Sequence, residues 1–166
     1  MKKDEIIRLP QLLLLFLLQV LVLNNVHLMR CAVPLLCVYF AIIFPRNYPH
    51  WAMLLWCFTL GLLIDIFSNT PGMASGSMTL VAAVQPGLLS LFIPRDADDK
   101  LRPSMKTIGI SKFCWFAFLL TFLYCLCFFS LESFNFFNWL YWLLEVGGST
   151  LLTLFIILVI EYSITK

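Results

Sequence analysis

Two carboxylates stand inside apolar stretches of the sequence, where an unpaired charge is costly. Asp65 follows Gly61-Leu62-Leu63-Ile64, and Glu145 lies within the last apolar stretch. A carboxylate in a spanning helix costs about 2.5–3.5 kcal/mol on insertion scales, so it is usually paired or functional. For Asp65 two interpretations are open, an acid that reaches the interface and a buried polar contact that fixes two helices. For Glu145 the simpler interpretation is a carboxyl group that faces the helix bundle without activity.

The other reactive residue types form no recognisable site. The six cysteines lie in apolar stretches without a CxxC pair, which is typical of buried free thiols. His27 and His50 are expected on opposite sides of the membrane, without a Ser or Cys partner at a recognisable spacing. An acid pair that lacks a nucleophile or metal site supports only generic acid–base chemistry. We therefore predict that the protein is not an enzyme and has no catalytic residues, metal or cofactor.

The composition indicates a membrane protein. Of the 166 residues, 61% are hydrophobic and 12% are charged, with a mean hydropathy of +0.94. Soluble domains have roughly 45–50% apolar and about 25% charged residues, so this chain lacks the polar surface that water requires. The same numbers exclude a disordered chain, a basic nucleic-acid binder and a small secreted disulfide scaffold. At about 20 residues for each spanning helix, no room remains for a separate soluble domain.

Six apolar stretches predict an all-α bundle of six transmembrane helices, which forms one membrane domain over residues 1–166. The predicted spans are 10–26, 28–44, 51–67, 73–93, 110–130 and 139–160. With the amino terminus inside, ten of the 11 Lys and Arg residues face the cytoplasm, and Arg30 is the exception. Cytoplasmic segments retain positive charge, so both termini are predicted to be cytoplasmic. Asp65 and Glu145 then lie in the outer half, where Arg30 is the available basic partner, while Glu161 is near the inner interface.

The segment between the third and fourth spans is typical of a tight turn, Asn69-Thr70-Pro71-Gly72. Gly61 and Asp65 are four residues apart and share a helix face, where a small residue lets another helix approach closely. Small residues continue into the fourth span as Ala74-Ser75-Gly76-Ser77. We interpret this segment as a closely packed helix pair with a polar contact at Asp65. A positive φ is expected at Gly72. Gly61→Ala should be much milder than Gly61→Leu, because a methyl group adds little bulk. Asp65→Asn should keep most of the hydrogen bonding and be less harmful than Asp65→Leu.

In this order and at this spacing, the segment resembles the signature region of the MreD family of rod shape-determining proteins. The likeness extends from about Gln19 to Pro86, and the carboxy-terminal half agrees in length and hydropathy only. Gln85-Pro86 departs from the pattern, because many members have a basic residue before this proline, and any cytoplasmic contact made through that residue is in doubt. The residues that carry the resemblance are Gln19, Asn24, Pro34, Tyr39, Pro45, Arg46, Gly61, Asp65, Asn69, Thr70, Pro71, Gly72 and Met73.

The resemblance implies a non-enzymatic scaffold of the bacterial elongation machinery in the inner membrane, surrounded by lipid and without a nucleic-acid partner. The family works with MreC, the actin-like MreB filament and the RodA–transpeptidase pair that builds lateral peptidoglycan. The structural or interaction candidates are Gly61, Asp65, Asn69, Pro71, Gly72, Gln19, Asn24 and Glu145.

A second function stays open, because the family's fold is described as similar to the vitamin-binding subunits of energy-coupling-factor transporters. A small-solute binding or transport subunit would need a pocket in the outer half of the membrane. Asp65, Glu145, Asn24 or Gln19 would line that pocket.

The predicted orientation can be tested with a reporter that is active only outside the cytoplasm. Fusions after Lys166 or within 96–106 should be silent, whereas fusions within 68–72 or 131–138 should be active. The reason is that positively charged segments are retained on the cytoplasmic side during insertion. Strong activity of a fusion within 96–106 would reverse the orientation and every assignment of membrane depth made from it.

Overall fold

A computed structural model of the chain describes residues 2–21, 35–93, 103–132 and 139–165, and all regular structure in these ranges is helical. The helices are α1 (Lys2–Leu21), α2 (Val38–Ile42), α3 (His50–Ser68), α4 (Met73–Phe92), α5 (Met105–Ile108), α6 (Ile110–Glu132) and α7 (Trp139–Thr165). Four of these helices, α3, α4, α6 and α7, are long and apolar enough to cross a membrane. The chain is therefore an all-α membrane protein.

The four long helices correspond to the last four predicted spans. α3 and α4 agree with 51–67 and 73–93 to within one residue at each end, while α6 continues to Glu132 and α7 to Thr165. Long continuous apolar runs bounded by turn residues make such helices the easiest elements to predict. The count of six spans and the position of the termini stay predictions.

The described parts of the first two predicted spans do not form long apolar helices as the last four spans do. α1 begins at Lys2, well before residue 10, and the apolar part of its described residues, Pro10–Val20, is shorter than a span. Residues 22–34 lie outside the described residues, and they include Asn24 and Arg30. In the described part of the second span, a turn at 36–37 precedes the five-residue helix α2.

The helices pack so that α2 is enclosed. α3 packs along α4, α4 along α6, and α6 along α7, while α2 contacts α1, α3, α4 and α6. All five residues of α2 are buried. α1 packs against α3, where the rings of Phe16 and Phe67 meet edge to face with their centroids 5.2 Å apart. Because lipid is as apolar as leucine, close approach and hydrogen bonds specify such packing more than apolar burial does.

Candidate functional site

The carboxylate of Asp65 accepts four hydrogen bonds from the turn and from the start of α4. Oδ1 accepts from the Thr70 hydroxyl at 3.0 Å and from the backbone N–H of Ala74 at 2.8 Å. Oδ2 accepts from the backbone N–H of Ser75 at 2.9 Å and from its hydroxyl at 2.7 Å. Only 6% of Asp65 is exposed. The polar contact predicted between the third and fourth helices is confirmed.

Asp65 supplies the acceptor that the start of α4 lacks. Helix α4 begins after Gly72, which has no side chain to accept a hydrogen bond. The first N–H groups of a helix have no partner within it, and a side-chain oxygen at the N-cap usually accepts from one of them. Here the acceptor comes from the preceding helix and serves Ala74 and Ser75. Its negative charge also lies at the positive end of the α4 dipole. The arrangement is an N-cap provided by a neighbouring helix.

The energy of this arrangement explains how a carboxylate can be buried here. Hydrogen bonds to a charged group contribute about 1.5–3 kcal/mol each. Two such bonds offset the insertion cost of about 2.5–3.5 kcal/mol for an acidic side chain in a spanning helix. Asp65 has four. Its position is therefore explained by structural hydrogen bonds, and its oxygens are occupied.

The turn before α4 contains two left-handed residues. Asn69 has a φ of 57° and Gly72 a φ of 84°, so the positive φ expected at Gly72 is confirmed. Asn is among the few non-glycine residues that adopt this conformation at low cost. The backbone carbonyl of Asp65 accepts from the N–H groups of Asn69 and Thr70. Asn69 and Pro71 are exposed, and both shape the turn through the backbone.

Gly61 lies where the backbones of α3 and α4 meet. A Cβ added to Gly61 would lie 2.5 Å from the Ser75 Cα and 2.8 Å from the Ala74 carbonyl oxygen. The obstacle is backbone, which cannot rotate away as a flexible side chain can. The premise that a methyl group fits easily at Gly61 is therefore wrong, because residue spacing reveals a shared face but not the distance to the next helix. That Gly61→Ala is milder than Gly61→Leu stays a prediction.

Gln19, the candidate in α1, binds the segment before α2. Its Oε1 accepts from the backbone N–H of Leu36 at 2.9 Å, and its side chain is 1% exposed. The neighbouring N–H, that of Leu35, donates to the Thr153 hydroxyl of α7 at 3.0 Å. In lipid, an unsatisfied backbone group costs several kcal/mol. Gln19 and Thr153 therefore allow a non-helical turn to lie inside the bundle.

The other end of the α2 segment, which comprises residues 35–44, is bound by α4. Gln85 is 1% exposed, and its Nε2 donates to the Phe44 carbonyl at 3.3 Å. Sequence reasoning singled out Gln85 only as a departure from a family pattern, and it missed Thr153. A polar residue within an apolar run was the available signal for both, but the sequence does not show which distant backbone group each one meets.

The remaining candidates lie apart from Asp65. Glu145 is half-buried in α7, close enough to Glu132 for the two carboxylates to repel each other. Asn24 and Arg30 are outside the described residues. The structure therefore brings Gly61, Asp65, Asn69, Pro71 and Gly72 together, and places Gln19 at the α2 segment.

A second buried carboxylate was missed as a candidate. Glu161, in the last turns of α7, is 6% exposed and accepts a hydrogen bond from the Tyr39 hydroxyl at 2.8 Å. Sequence reasoning placed it near the inner interface and gave it no partner. The available signal was an acid at the end of the long apolar run 151–160.

Comparison with protein-family models, with curated proteins and with solved structures finds no match to this chain. The class that the fold and the site define is accordingly broad. It is an all-α membrane protein in which a buried carboxylate joins two long helices.

Substitutions of Asp65 should lower the free energy of unfolding in a fixed order. Asp65→Asn has one oxygen for two backbone donors, and its NH₂ would face the other donor, so we expect a loss of about 1–3 kcal/mol. That Asn keeps most of the hydrogen bonding and is less harmful than Leu stays a prediction. Asp65→Leu leaves both N–H groups without an acceptor and should lose roughly 2–6 kcal/mol. Unfolding of the detergent-solubilised protein, followed by circular dichroism, measures both.

The matched control is Glu145→Gln, which removes the other carboxylate at membrane depth. Because Glu145 is outside the hydrogen-bond network of Asp65, the change should be within about 0.5 kcal/mol of wild type. Wild-type stability of Asp65→Leu would contradict the capping role of Asp65.

Gly61→Ala should destabilise the protein by about 1–3 kcal/mol, because the added methyl group forces the backbones of α3 and α4 apart. Gly87→Ala in α4 is the control, since an added Cβ there meets nothing within 4 Å. The same unfolding measurement should show no loss for Gly87→Ala. Equal stability of the two variants would mean that α3 and α4 do not approach closely at Gly61.

Proposed function

We propose that this chain is a non-enzymatic scaffold of the bacterial cell-elongation machinery in the inner membrane. MreC is its direct partner, and through MreC it reaches the MreB filament and the RodA–transpeptidase pair. One observation supports this most strongly. The residues of α3 and α4 that resemble MreD form one connected structure, in which Gly61 sets the approach of two helices and Asp65 caps the second.

The α3–α4 hairpin consists of α3, the turn at 69–72 and α4. Its chemistry suits a rigid interaction element. The oxygens of Asp65 are occupied by hydrogen bonds from the hairpin itself, so the carboxylate stabilises structure. Beside the turn, Ile66 and Phe67 are 66% and 62% exposed, and Asn69 and Pro71 are also exposed. A preorganised tip loses little conformational freedom on binding, which favours association.

The alternative of a small-solute subunit has less support. The cavity beside Asp65 has a volume of about 400 Å³, and its lining comes from the α3–α4 hairpin, without Gln19 or Glu145. The Gln19 side chain accepts a hydrogen bond from the backbone N–H of Leu36. Among the described residues, the cavity beside Asp65 therefore does not include Gln19 or Glu145, two of the polar residues proposed to line a solute pocket.

The proposal is tested in the host bacterium by depletion, replacement and co-purification. Depletion should round the cells, and a tagged wild-type chain should recover MreC from solubilised membranes. Asp65→Leu, which weakens the hairpin, should lower recovery of MreC and fail to restore rod shape. Glu145→Gln should behave as wild type at equal protein level. Rod-shaped depleted cells, together with no recovery of MreC by the wild-type chain, would reject the proposed function.

A further inference from the structure

A cavity of about 460 Å³ lies between α1, the α2 segment and α7. Apolar side chains form most of its wall, among them Leu14, Leu18, Leu36 and Ile160. The polar residues of the lining are Gln11, Tyr39, Ser104 and Glu161, and the Tyr39 hydroxyl donates a hydrogen bond to Glu161. One carboxylate in the wall of an apolar cavity defines a site for an amphipathic molecule.

The carboxylate of Glu161 has spare capacity for a cation. Its Oε2 accepts from the Tyr39 hydroxyl at 2.8 Å, which is its one partner among the described residues. A carboxylate has about four acceptor positions. A buried charge is costly unless it is paired, and Glu161 is 6% exposed. A cationic group with N–H donors, bound in the cavity, would fill the remaining positions.

The position of the cavity points to a ligand from the bilayer. Two of its lining residues, Leu14 and Ile164, are 61% and 68% exposed, so the cavity opens at the surface of the helix bundle. At 1.5 Å per residue, Glu161 lies about 6 Å from the end of α7 at Thr165. α7 is about 40 Å long and exceeds the hydrocarbon thickness of about 30 Å, so a carboxylate this close to its end can lie at the headgroup level.

The apolar wall is long enough for part of an acyl chain. On α1 the lining extends from Gln11 to Leu18, which is about 10 Å along the helix. A lipid that enters with its headgroup at Glu161 therefore places the upper part of an acyl chain along Leu14 and Leu18.

Charge complementarity selects among headgroups. A primary ammonium has three N–H donors, as the lysine side chain does. A choline group has no N–H, and an anionic glycerol headgroup would be repelled by the carboxylate. We propose that this cavity is a binding site for phosphatidylethanolamine, whose ammonium group binds Glu161. This site is separate from the α3–α4 hairpin and does not depend on the proposed scaffold function.

The test uses the full chain, purified in detergent and titrated with single phospholipids while the thermal unfolding midpoint is recorded. Phosphatidylethanolamine should raise the midpoint at lower concentrations than phosphatidylcholine or phosphatidylglycerol. Glu161→Gln keeps the size and an oxygen for Tyr39 but removes the charge, so the affinity for phosphatidylethanolamine should fall roughly 10- to 100-fold. Glu145→Gln makes the same change outside the cavity and should leave the affinity unchanged.

A second pair of variants tests the cavity itself. Leu14→Trp places an indole at the cavity mouth and should abolish the selective response to phosphatidylethanolamine. Leu13→Trp changes the neighbouring exposed leucine, which does not line the cavity, and should keep that response. An equal response to all three lipids would overturn the proposal. So would wild-type selectivity in both Glu161→Gln and Leu14→Trp.

Discussion

The first backbone N–H groups of α4 need an acceptor, and in a membrane that acceptor must come from the protein. Asp65 provides it, and the packing of α3 against α4 follows from its short side chain. For the carboxylate to reach Ala74 and Ser75, the two backbones must lie close together one turn earlier, at Gly61. The left-handed residues Asn69 and Gly72 then reverse the chain in the few residues available.

The backbone groups of the α2 segment also need hydrogen-bond partners within the protein. Its irregular ends lie inside the bundle, and their backbone groups bind Gln19 of α1, Thr153 of α7 and Gln85 of α4. A leucine in a helix that faces lipid can often be exchanged for another apolar residue at little cost. A glutamine that satisfies one buried backbone group has no such substitute. Few polar residues therefore determine which helices are neighbours.

Much of the fold could be predicted from the sequence, because apolar runs and turn residues are local signals. They located α3, α4, α6 and α7, the left-handed Gly72 and the polar contact at Asp65. The described part of the second span was harder, since a buried short helix and a continuous span are equally apolar. The contact between Tyr39 and Glu161 joins residues 122 positions apart, and no local pattern specifies such a pair. The remaining features depend on the distances between helices, as at Gly61, and the sequence does not show those distances.

The hydrogen bond between Leu35 and Thr153 has a consequence for biogenesis. The two residues are separated by 118 positions, so the ribosome synthesises helices α2 to α6 before the acceptor exists. Until α7 is present, the N–H of Leu35 needs a different acceptor, because an unpaired donor in hydrocarbon is costly. The hydrogen bonds that hold the segment around α2 are therefore complete only after the last helix has entered the membrane.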